Sequence, residues 1–217
     1  MDGNSKDAEN KQKQILSWLN YIYDAAVNVS IPGIGPSVEE LAESYLKDTT
    51  YKTMEERANS LVNYQVVKTS ATGFITGLGG IITMPIAVPA DLSVVTIVQL
   101  KMIAAIAYMG GYNPKDDQVR TMVYVILLKM DISDILKRTG IRFVVKMGET
   151  SLKKIPGKIF IEINKKIGFK LLTKFGQKGI VNLVEVVPIL GGLVGGGIDG
   201  GATKIIGNKA IKNFIKV

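Results

Sequence analysis

Two aspartates, Asp91 and Asp199, are the residues whose type and setting most invite a chemical role. Each closes a nearly uncharged, glycine-rich segment that also contains proline: Pro89-Ala90-Asp91-Leu92 in the first, Gly197-Ile198-Asp199-Gly200 in the second. If the two segments pack together, the paired carboxylates could share a proton or hold a hard cation, and they are the only candidate metal ligands. The plainer role is that each carboxylate accepts from free backbone N–H groups at a helix N-terminus. Both readings stay open on the sequence.

The rest of the repertoire narrows the chemistry. The chain has no histidine and no cysteine. That excludes disulfides, the usual zinc ligands, and Ser-His-Asp or Cys-His catalysis. Acid–base work would fall to Asp, Glu, Lys or Tyr. Gly195-Gly196-Gly197-Ile198-Asp199-Gly200 matches G-x-G-x-x-G, but a dinucleotide site needs a βαβ unit and an acid about 20 residues further on. Ser151-Leu152-Lys153-Lys154 matches S-x-x-K without its companion motifs, in a lysine-rich stretch. No catalytic residue and no cofactor follows from these motifs.

The elements that must position the aspartates are helical. Ile15, Trp18, Leu19, Ile22, Tyr23 and Ala26 recur at helical spacing, predicting a helix over 11–29 that Ser30-Ile31-Pro32-Gly33-Ile34-Gly35-Pro36 ends. Ser37-Val38-Glu39-Glu40 and Thr53-Met54-Glu55-Glu56 each have capping-box character and open two further helices. The third helix should bury Ala58, Leu61, Val62 and Val66.

From Thr69 to Ala90 there are 22 residues without a formal charge. That length could span a bilayer. However, Gly73, Gly77, Gly79 and Gly80 weaken a helix there, and Pro85 and Pro89 break it. The segment therefore reads as a broken hairpin: a short helix over 73–82, a turn, and a helix over 89–108. Residues 92–108 are apolar nearly all round, interrupted by Gln99 and Lys101, so that helix belongs in a core or in lipid. Further helices are expected over 115–129, 131–139, 141–153, 157–175 and about 202–216. Glycines four apart, as at Gly73/Gly77, Gly191/Gly195, Gly192/Gly196, Gly196/Gly200 and Gly197/Gly201, let a second backbone approach closely.

The net charge of +8 is uneven. Residues 1–60 hold ten acids and six bases, whereas 137–178 hold twelve bases and two acids. Over 157–175, Phe160, Ile163, Ile167, Leu171 and Phe175 form one stripe. Lys158, Lys165 and Lys166 lie away from it, with Lys170 and Lys174 at its edge. This is the composition of a helix lying on an anionic membrane; the plainer reading is a surface helix with its lysines in water. Nucleic acid ranks lower as a partner, because arginine and interleaved aromatics are scarce.

Taken in order, Thr72-Gly73-Phe74-Ile75-Thr76-Gly77-Leu78-Gly79-Gly80-Ile81-Ile82-Thr83-Met84-Pro85, Pro89-Ala90-Asp91-Leu92, Gln99 to Ala107, Gly110-Gly111-Tyr112 and Val187-Pro188-Ile189-Leu190-Gly191-Gly192 carry a signature. Over roughly residues 35–215 the chain resembles the EcsC family of bacterial proteins. The resemblance implies a hydrophobic, membrane-associated helical protein of a kind named for a component encoded with an ABC-type transporter. It carries over no catalytic set. It also marks two departures: Lys101 where relatives often have arginine, and Asn113 where many have aspartate, so a metal ligand at that position would be lost here.

Together these readings predict an all-α, multi-helix bundle around a glycine-rich broken helical hairpin and a C-terminal glycine-rich helix. Residues 1–10 are expected to be disordered and 11–217 to form one domain. The expected function is non-enzymatic. The protein would dock on, or insert into, the cytoplasmic face of the plasma membrane through the apolar hairpin and basic helices, with anionic lipid as partner and a protein partner left open. The alternatives are a lipid-acting enzyme or cation-binding protein using Asp91 and Asp199, and an immunity or effector module in bacterial conflict.

Overall fold

The computed structural model describes residues 10, 16–17, 19–70, 94–130, 157–175 and 196–215, with the backbone alone at 94, 169–175 and 196–199. Among them the fold is all-α, with seven helices and no strand. They are α1 (19–28), α2 (Val38–Leu46), α3 (Met54–Ser70), α4 (Val94–Met109), α5 (Asp117–Leu127), α6 (Gly157–Phe175) and α7 (Gly196–Phe214). The helices expected over 73–82, 131–139 and 141–153, and almost all of residues 1–10, lie outside the described residues.

Local chemistry sets the helix ends. At α2 the Ser37 hydroxyl accepts from the Glu40 N–H at 3.3 Å, and the Glu40 carboxylate accepts from the Ser37 N–H at 2.9 Å. Thr53 and Glu56 repeat the arrangement at α3, at 3.1 and 3.0 Å. Both boxes satisfy donors that the helix itself leaves unpaired. The α1–α2 loop closes on itself through paired bonds between Ile31 and Gly35, both 2.8 Å. It needs glycine twice, since φ is 77° at Gly33 and 140° at Gly35.

The apolar helix α4 is the centre of the fold. Leu100, Met102, Ile103 and Ile106 are fully buried, and the helix packs against α2, α3, α5 and α7. Its all-round hydrophobicity is therefore matched by protein on every side. Truncating one such side chain to alanine costs about 2–5 kcal/mol.

Cross-contacts fix the directions. Ser70 lies beside Gly200 and Val62 beside Gly207, so α3 and α7 run antiparallel. Gln99 meets Thr203 and Gly110 meets Phe214, so α4 and α7 run parallel. The last turn of α3 and the first turns of α4 and α7 consequently share one end of a three-helix unit.

Helix α7 starts at Gly196, earlier than the expected 202. Glycine costs about 1 kcal/mol per residue in a helix, which argues for a later start. Contact with α3 offsets that penalty. A Cβ on Gly200 would fall 1.9 Å from the Ser70 hydroxyl, and one on Gly207 would fall 2.6 Å from both Val62 methyls. The expected close packing is thus present at Gly200, whereas Gly201 is exposed with nothing within 4 Å.

Candidate functional site

At the shared end of α3, α4 and α7 the core turns polar. Gln65, Thr69, Thr96, Gln99 and Thr203 are all buried. The Thr203 hydroxyl accepts from the Gln99 amide at 3.0 Å and is hydrogen-bonded to the Thr69 hydroxyl at 3.1 Å. Thr69 also bonds the Gln65 carbonyl at 2.9 Å within its own helix. Unpaired, such groups would each cost about 1–3 kcal/mol. Bonded across three helices, they hold the helices in one register.

A lysine clasp lies beside this layer. Lys101, 2% exposed, projects from the apolar α4 and donates to the Val29 carbonyl at 2.8 Å and the Pro36 carbonyl at 2.7 Å, the two ends of the α1–α2 loop. Lys68, from the last turn of α3, donates to the Ile34 carbonyl of the same loop. Burial pushes the Lys101 ammonium down to about 8; the Glu40 carboxylate opposes that shift and Lys68 adds to it. Burial likewise lowers Lys68. Glu40 itself is held below the usual carboxylate range by its bonds to Ser30 and Ser37. Three chain segments that meet at the root of residues 71–93 are therefore tied through backbone carbonyls and two ammonium groups.

The sequence-predicted site residues fall unevenly on this frame. Asp91, Gly73, Gly77, Gly79, Gly80, Gly191, Gly192 and Gly195 lie outside the described residues. Gly196 opens α7. Asp199 sits within the first turn of α7, three residues past its start, rather than at the position before the helix; its side chain is not described. Among the described residues no group of three or more acidic side chains stands close enough to hold a metal ion.

In α6, Phe160, Ile163 and Ile167 are buried and the helix packs on α5, with Thr121 bonded to Asn164 at 3.3 Å. The described part of the apolar stripe thus faces protein. Lys158 and Lys165 are exposed and Lys166 is half-buried. The side chains of Lys170, Leu171, Lys174 and Phe175 lie outside the described set. Among the described residues no helix is long and apolar enough to cross a membrane.

Sequence reasoning missed the polar layer. Its signal was present as Gln65 and Thr69 four apart on α3, and as Thr96 and Gln99 three apart in an otherwise apolar helix. Each pair lies on one helical face. Lys101 was visible as an interruption, but its carbonyl partners belong to a loop some 65 to 72 residues away.

No curated protein and no solved structure matches the chain. The model of the EcsC protein family matches residues 5–216, beginning well ahead of residue 35, where the signature was first read. With nearly the whole length matched and an all-α core centred on the Gln99–Tyr112 stretch of that signature, the chain belongs to the EcsC protein family.

Proposed function

We propose that this protein is a non-enzymatic, peripheral membrane component. It docks on the anionic cytoplasmic face of a membrane through the end of the α3–α4–α7 unit. The observation that carries the reading is the convergence at that end. Ser70 lies against Gly200, and Gln99 against Thr203. The charge-free run from Thr69 to Ala90 and the second glycine-rich segment are therefore both rooted there. A polar layer and a lysine clasp brace the roots against the rest of the core.

The basic helix α6 supports the same reading in a restricted way. Its apolar side chains Ile163 and Ile167 are fully buried in the protein while Lys158 and Lys165 reach outward. Its contribution is electrostatic attraction, about 1 kcal/mol per lysine near an anionic surface, without insertion. Flotation with vesicles tests the function. Binding should require anionic phospholipid and weaken with salt and with the Lys158→Glu, Lys165→Glu double substitution. A protein that stays in the soluble fraction without detergent and ignores anionic vesicles refutes it.

A further inference from the structure

Resting on that reading, we propose that the outer face of the last two turns of α3, formed by Tyr64 and Val67 with Lys204 beside them, is the surface that enters the anionic phospholipid headgroup layer. Val67 is 69% exposed and Tyr64 57%, and Val67 is the most exposed large hydrophobic side chain among the described residues. They are three apart on one helix face. An open groove of about 840 Å³ runs along this face, with Tyr51, Ser60 and Asn63 also in its wall. The Ser60 hydroxyl fixes Tyr51 by donating to its phenol at 2.9 Å.

Two observations name a lipid surface as the occupant. The first is continuity: the charge-free run begins at Thr69, two residues after Val67. Tyrosine, with an apolar ring and a polar tip, favours the headgroup level of a membrane. The second is charge. Lys204 donates to Asn63 at 2.8 Å, which holds a cation beside the patch. The carboxylate of the groove, Glu56, sits at its far end and is engaged by the Lys52 and Thr53 N–H groups at 2.8 and 3.0 Å.

The absence of native cysteine makes a single-label experiment clean. Val67→Cys and, as a control on α1, Tyr21→Cys are each labelled with an environment-sensitive fluorophore. Each is mixed with phosphatidylglycerol/phosphatidylcholine vesicles, some carrying a lipid-borne quencher. The label at position 67 should shift to the blue and be quenched, and the label at 21 should do neither. Val67→Glu, and independently Tyr64→Ser, should lower vesicle affinity by about tenfold or more at unchanged circular dichroism and melting temperature. If the protein floats with the vesicles but position 67 does not respond, or responds no more than position 21, this surface is wrong and the membrane function stands. If the protein does not float at all, both fall.

Discussion

Replacing Lys101 with methionine should change how stability depends on pH. A lysine titrates at 10.5 when unperturbed and at about 8 in this core. The folded state therefore binds the proton more weakly than the unfolded chain. Between the two values the unfolded chain holds more protons, so stability rises with pH. The gain is complete above the unfolded value and is lost as pH falls through about 8. From about pH 7.5 to about pH 9.5 it amounts to at most roughly 2 kcal/mol, trimmed by solvent near the loop. Methionine keeps the apolar stem but removes this term. It also leaves the Val29 and Pro36 carbonyls without their charged donor, a loss of about 1.5–3 kcal/mol per bond set against the relieved cost of burying an ammonium.

Denaturant unfolding followed by circular dichroism, on both proteins at both pH values, reads the difference directly. The gap, the stability of wild type minus that of Lys101→Met, should increase toward alkaline pH. Tyr23 and Tyr124, both pushed up by burial, act in the opposite sense at higher pH, but they are present in both proteins and cancel in the gap. A gap that stays constant across the window would refute the account of Lys101 as a buried, partly discharged ammonium.

Two further substitutions probe the frame. Gly110→Ala should lower stability by about 2 kcal/mol or more, because its Cβ would fall 2.2 Å from the Phe214 carbonyl oxygen, a backbone atom. Gly201→Ala, with nothing within 4 Å of the new methyl, should be neutral or stabilising by up to about 1 kcal/mol; thermal melts compare the two. Thr203→Val should cost about 1–3 kcal/mol by leaving Thr69 and Gln99 without their shared hydrogen-bond partner. Faster amide exchange in the last turn of α3 and the first turns of α4 is the expected signature.

Local signals in the sequence were enough to place α2, α3 and α6. The Ser37 and Thr53 boxes and the stripe over 157–175 are short-range codes, and the structure uses them within a residue or two. The start of α7 was not legible. Residues 196–201 carry the lowest helical preference in that stretch, and what packs on them at Gly200 is Val66 and Ser70 of α3, far away in sequence. Lys101 was legible as an anomaly but not as a clasp. A charge in an apolar helix announces a partner without naming it, and here the partners are main-chain carbonyls, which leave no side-chain pattern. The α6 stripe shows the opposite problem: burial against protein and burial in lipid ask for the same side chains, and only the neighbouring helix α5 separates them.

The parallel pairing of α4 with α7 has a consequence during synthesis. Gln99 and Thr203 stand 104 residues apart. At about 5–20 residues per second, α7 emerges some 5–20 seconds after α4. Throughout that interval the most apolar of the described helices lacks one of its covers, and such distant contacts are slow to close. Nascent chains stalled before α7 should accordingly be the species that chaperones hold or that aggregates.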